Sequence, residues 1–168
     1  MTVAESLAAS SPPELFERPD LQTLRLVFVG ERRSRKAIEI GGCWENGRLA
    51  AKTLHDALRA AGLHPESQTF LNLFPDDGPS PSESVLLRLR EFHGQGVTIV
   101  GMGQVVQRAL TRVEIPHVPM VHPAARGRIR ARALYYAHVA RVLGSLYSPV
   151  DNPGLNAGNP RRFTPSVL

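Results

Sequence analysis

The sequence predicts an α/β fold, a three-layer α/β/α sandwich built on a four-stranded parallel sheet, and three observations carry that prediction. Four short apolar runs, at Leu24–Val29, Gln68–Phe74, Val97–Val100 and His117–Val121, have the continuous hydrophobicity of strands covered on both faces. Stretches with helical spacing alternate with them, giving the β, α, β, α order that places parallel strands under helices. Three of the runs also stop on a residue capable of chemistry: Glu31 after LRLVFVG, Asn72 within TFLNLF, and His122 after HVPMV. In an open parallel sheet ligands bind in the crevice outside the carboxyl ends of the strands, so these side chains are expected to face one cleft.

Each element has its own local signal. Residues 1–22 read as a leader with a short helical turn near Pro13 to Glu17, 23–147 as the domain, and 148–168, rich in Pro, Gly and Asn, as a surface tail. After the first strand comes an irregular segment containing Gly41, Gly42, Cys43 and Trp44. A helix follows from about Gly47 to Ala61, with Ala50, Leu54, Leu58 and Ala61 on one face and Gly62 as the stop. Beyond the second strand, PDDGPSPSES is a loop whose Ser82 can cap a helix carrying Val85, Leu86, Leu89 and Phe92, ended by Gly94 and Gly96. The third strand runs into a tight GMG turn and a helix through Leu110. The last strand leads to a long helix spanning roughly Arg128 to Leu146.

Composition narrows the function classes. The chain has 168 residues, 42% hydrophobic and 21% charged, enough for one sizeable core. No apolar stretch approaches the roughly eighteen residues of a membrane helix, and the opening MTVAESLAASSPPELFERPD lacks the basic start and apolar run of a signal peptide. A cytoplasmic, nucleoid-associated protein is expected, without a membrane partner. Cys43 is the sole cysteine, which excludes a disulfide framework or a cysteine-held cluster within one chain; no metal or other cofactor is expected.

The formal net charge is +5, and the positive charge is almost all arginine, Lys36 and Lys52 being the only lysines. Arginine's planar donor fork suits phosphate oxygens. Two basic clusters follow candidate site residues: Arg32, Arg33, Arg35 and Lys36 after the first strand, and Arg126, Arg128, Arg130 and Arg132 after His122. DNA along the rim of the cleft is the expected partner of a monomeric protein. The plainer reading of either cluster is solvated surface. GMGQVV at Gly101 to Val106 is a poor dinucleotide fingerprint, lacking the third glycine and the acidic residue of the next strand. Its glycines let a helix N-terminus approach a strand end, where amides can hold a phosphate or base.

Taken in order, VFVGE, Trp44 ahead of a helix, TFLN, a strand ending GMGQVVQRAL, and VPMVHPAARG resemble the motifs of the uracil-DNA glycosylase superfamily over Leu24 to Gly144. The resemblance implies a uracil-DNA glycosylase-like fold and an enzyme of DNA base excision repair. That enzyme flips uracil or a related deaminated or modified base out of DNA, hydrolyses its N-glycosidic bond and leaves an abasic site. It makes Glu31 and His122 catalytic, Asn72 and Trp44 base-binding, and Pro123 to Arg128 a loop entering the helix. Arg32, Arg33, Arg126, Arg128 and Arg130 would contact DNA. Three features depart from the pattern: Arg32 stands where several branches carry a water-activating Asp or Asn, Ala124 replaces the Ser of HPS, and the iron–sulfur cysteines are missing.

The chemistry suits these residue types. Cleaving the glycosidic bond builds positive charge on the sugar and negative charge on the departing base, which a carboxylate and a hydrogen-bond donor respectively stabilise. Asn72 supplies the donor and acceptor needed to read a pyrimidine edge. Stacking on Trp44 and phosphate contacts offset the few kcal/mol that base flipping costs. Each residue also has a plainer reading. His122 can serve backbone groups of its loop, Glu31 can pair with Arg33 or Arg35, Asn72 can bond a backbone group, and Trp44 can be packing. Asp76 and Asp77 read as turn residues or reserve carboxylates, and Glu45 as another spare. Two other functions stay open: a catalytically silent nucleic-acid-binding protein with the same fold, and a hydrolase acting on free nucleosides or nucleotides.

Overall fold

The computed structural model describes residues 24–146. The expected leader, its turn at Pro13 to Glu17 and the tail from 148 lie outside the described residues. Four strands, β1 (Leu26–Gly30), β2 (Thr69–Asn72), β3 (Thr98–Met102) and β4 (Val118–Met120), form one all-parallel sheet in the order β2-β1-β3-β4. Five helices accompany them: α1 (Arg35–Glu39), α2 (Ala50–Ala60), α3 (Glu83–Gly94), α4 (Gln104–Arg112) and α5 (Arg132–Ser145).

All residues of β1 are buried, and its side chains alternate between two cores. Leu26 and Phe28 pack with Leu54 and Leu58 of α2 and with Tyr135 and Val139 of α5. Val27 and Val29 pack with Leu86 and Leu89 of α3 and Val106 and Leu110 of α4. Helices therefore cover both faces, and burial on both sides is why the strand reads as an unbroken apolar run. Gln68 pins the start of β2 to β1, accepting from the Leu26 amide at 2.7 Å and donating to the Leu24 carbonyl at 2.9 Å.

The structure moves several expected boundaries. The segment after β1, read as irregular, contains α1, whose N-cap Ser34 Oγ accepts from the Ala37 amide at 3.1 Å. α2 begins at Ala50 instead of Gly47, because Gly47 (φ 62°) and Leu49 (φ 55°) both hold left-handed backbone that a helix cannot contain. The long final helix is divided: a single 3-10 turn at Arg128–Arg130 follows Gly127 (φ 89°), and Ala131 is extended (ψ 126°) before α5 starts at Arg132. β4 is the shortest strand, an edge with Pro119 at its centre opposite Gly101.

Candidate functional site

Asn72 and His122 arise at opposite edges of the sheet, on β2 and just beyond β4, and both line a cavity of about 260 Å³ at the carboxyl ends of the strands. Glycines stand at the ends of the two central strands, Gly30 as the last residue of β1 and Gly103 directly after β3. A Cβ built on Gly30 would lie 2.7 Å from the Trp44 ring and 3.1 Å from Asn72 Oδ1. One on Gly103, just past β3 at φ 88°, would lie 3.3 Å from the His122 Cβ. Glycine at both positions lets the functional side chains close over the sheet.

Trp44 joins the pair. Its indole Nε1 donates to Asn72 Oδ1 at 2.8 Å, its ring meets His122 edge-on at 6.0 Å between centroids, and it stacks on Phe70 at 6.2 Å. The partner of the strand amide is thus an indole, neither a backbone group nor open space. With Oδ1 held by Trp44, the Asn72 amide orientation is fixed, and its Nδ2 hydrogens have no competing acceptor in this contact.

His122 is fixed from two sides. Its Nδ1 accepts from the Ala124 amide at 3.1 Å, which places the proton of the neutral ring on Nε2 and makes Nε2 a donor. The residue before it, Val121, is anchored by α5: its amide donates to His138 Nε2 at 2.9 Å, and its carbonyl accepts from Tyr135 Oη at 3.3 Å. Gln107 Nε2 ties the preceding turn by donating to the carbonyls of Gly101 and Met120, each at 3.0 Å. Burial lowers the proton affinity of His122, with the charge of Glu31 pulling the other way, so the imidazole is held toward its neutral form.

The expected carboxylate stands apart. Glu31 follows β1, where its carbonyl accepts from the Phe74 amide at 2.8 Å, but its side chain is not part of the cavity lining. That side chain is 44% exposed and pairs with Arg32 Nε at 3.8 Å, a different arginine from the two the sequence offered as partners. The three chemical side chains therefore do not converge as expected. Asn72 and His122 meet through Trp44, and Glu31, whose side chain pairs with Arg32, acts on His122 as a nearby charge.

The basic rim is also divided. Arg32 lines the cavity, yet its Nη1 donates to the Gly78 carbonyl at 3.0 Å and its guanidinium lies over the Phe74 ring at 5.2 Å. Arg33 lines it while bound to Asp76, its Nε meeting Oδ1 at 3.2 Å and Oδ2 at 3.1 Å. Asp76, read as a turn residue or reserve carboxylate, is the counterion of Arg33, which holds its carboxyl below the usual range. Arg126, Arg128 and Arg130 are exposed on the loop after His122 and line no part of the cavity. Arg48, Cys43 and Leu49 line it and escaped the sequence reading, because GGCWENGRLA has no periodicity. The one available signal was the pair of glycines flanking Trp44.

Among the described residues no group of three or more His, Cys, Asp or Glu side chains is placed to hold a metal ion, and no helix is long and apolar enough to cross a membrane. The chain matches no protein-family model, and no curated protein matches it significantly.

Proposed function

We propose that this chain is a DNA glycosylase of the uracil-DNA glycosylase type, which hydrolyses the N-glycosidic bond of uracil or a related modified base extruded from DNA. The observation that carries this reading is the meeting of Asn72, Trp44 and His122 around one small basic-rimmed cavity beyond the carboxyl ends of a parallel sheet. At about 260 Å³ the cavity falls just below the roughly 300 Å³ at which drug-sized pockets begin, a size suited to a single ring system.

In this reading the neutral His122 donates from Nε2 to a carbonyl oxygen of the departing base, stabilising the charge it gains as the bond breaks. Asn72 donates from Nδ2 to a second acceptor on the base edge. Glu31, outside the lining but near enough to influence His122, favours the positive charge that develops on the sugar; water then bonds to the sugar C1′, and the proton it loses is taken up through solvent by the departed base. Arg48 and the loop arginines contact the phosphates. Labelled oligonucleotides carrying uracil, hypoxanthine, xanthine or 5-substituted uracils, incubated with the protein and cleaved by alkali, test it directly. Strand scission at one or more lesions is expected; no scission from any substrate, single- or double-stranded, rejects the reading.

A second reading is favoured by the position of Glu31, paired with Arg32 and outside the cavity. A protein that keeps the fold and the base pocket without a water-activating carboxylate would bind nucleic acid and cleave nothing. Salt-dependent oligonucleotide binding without base release would decide for it. Mononucleotide binding as tight as oligonucleotide binding would instead favour a hydrolase of free nucleotides.

A further inference from the structure

Two residues beside the loop that carries Trp44 bear a cost that packing does not explain. His55, 5% exposed, is the one buried polar residue of the described core, and its Nε2 has no hydrogen-bond partner. It stands in the wall of a second cavity, of about 540 Å³, formed by Glu45, Asn46 and Gly47 of the loop with one face of α2 and Phe70. That nitrogen is closed to solvent, so it presents nothing to a ligand there.

Leu49 is the other. Its backbone is left-handed, at φ 55° and ψ −127°, where any side chain is strained and glycine is at ease. Its side chain is apolar, 45% exposed, and belongs to neither of the two cores. A glycine would relieve both costs, as Gly47 does two places earlier at φ 62°. What the leucine has in return is a place in the wall of the first cavity. Unlike His55 Nε2, it is open to whatever enters.

That cavity has two kinds of wall. Its sheet side is polar: Asn72 Nδ2 and His122 Nε2 have no hydrogen-bond partner among the described residues, and neither is sealed from solvent. Its helix side is apolar, formed by Ala37 of α1, Cys43, Leu49, and Ala50 and Ala51 at the start of α2. The cations of that side, Lys36 and Arg48, are exposed. A ring held to Asn72 and His122 by its carbonyl edge therefore turns its far carbons toward apolar surface. On the reading that this cavity takes an extruded base, we propose that Leu49 is a specificity-determining residue, which favours pyrimidines carrying an apolar group at C5. Burying that group against Leu49 and the alanines removes apolar surface of both partners from water, a gain that plain uracil does not offer.

Uracil, thymine and 5-ethyluracil, titrated into the full chain and followed through the fluorescence of Trp44, its sole tryptophan, test this. Affinity is expected to rise about fourfold with each added carbon, the worth of one buried methylene. Leu49→Gly should stay folded, with a urea midpoint at or above that of the native chain, and should bind all three bases alike. Leu49→Met keeps an apolar reach and should keep the order. Uracil binding as tightly as 5-ethyluracil overturns the proposal, and so does an unchanged order in Leu49→Gly. A lower urea midpoint for that variant also overturns it, because Leu49 would then be a packing residue. The same bases placed in oligonucleotides separate this role from the reaction. The binding order without release of any base rejects the glycosylase reading alone, whereas release of uracil without the order rejects the role of Leu49 alone. A chain that binds none of the three and releases none fails both.

Discussion

The two cavities share a wall and differ in how their polar groups are satisfied. Around the first, one atom of each key side chain is committed and so orients the rest: Asn72 Oδ1 to Trp44, His122 Nδ1 to Ala124, Val121 to α5, Arg33 to Asp76. Around the second, the ion pairs sit on the exposed face of α2 and the one buried polar side chain, His55, has an unspent nitrogen. A site whose donors are already aimed loses little ordering free energy when a ligand arrives. The polar groups of the first cavity are held in place before a ligand arrives, and those of the second are not.

The strongest way to break this contrast is to remove an aimed group. His122→Ala and Asn72→Ala are each expected to lower base release about 10²- to 10³-fold, as loss of one donor to developing charge does, while circular dichroism stays native. Full activity in both would deprive the first cavity of its role. Next in size is Gly30→Ala, whose methyl would meet the Trp44 ring at 2.7 Å. Displacement of the indole should change tryptophan fluorescence and cost about 1–3 kcal/mol in urea unfolding. An unchanged spectrum would show that Trp44 is not held as described.

The opposite sign is expected across the wall. His55→Leu should hold or raise stability by about 1 kcal/mol, since it removes an unpaired buried nitrogen, and a large loss would show that His55 has a partner in solution. Arg48→Ala sharpens the charge contrast. Arg48 lines the first cavity and forms no ion pair among the described residues, so its loss should reduce the slope of log K against log salt for oligonucleotide binding by about 1.

Acid is the mildest probe and acts on both cavities together. Burial lowers the proton affinity of His122, His55 and His138 below the ordinary 6.5, so the unfolded chain binds more protons than the folded one just below that pH. Stability therefore rises with pH through that window and is lost as pH falls from 6.5, which urea melts at pH 7.0, 6.0 and 5.0 would register. For His55, burial is reinforced by Arg59 and opposed by Glu66, Asp56 and Glu45. His122→Ala should flatten the profile in part, and a profile independent of pH would show that these rings are solvated.

The strands and the residues at their ends were legible in the sequence because a strand buried on both faces leaves an unbroken apolar run and its stop marks the crevice. Asn72 and His122 were singled out that way, and both line one cavity. The placement of Glu31 was not, because the residue after a strand can turn toward the cavity or away, and here its side chain pairs with Arg32. α1 was missed for its five residues and its lack of a buried face. The second cavity left no trace either: its lining is spread over a loop, one face of α2 and the start of β2, and only folding brings these together.

Pro119 has a consequence for the molecule in company. It stands mid-strand on the outer edge of the sheet, so a neighbour zipping alongside β4 would meet a ring where it needs an N–H, over a strand of just three residues. Pairing of a further strand against β4 is therefore disfavoured on the His122 side of the sheet.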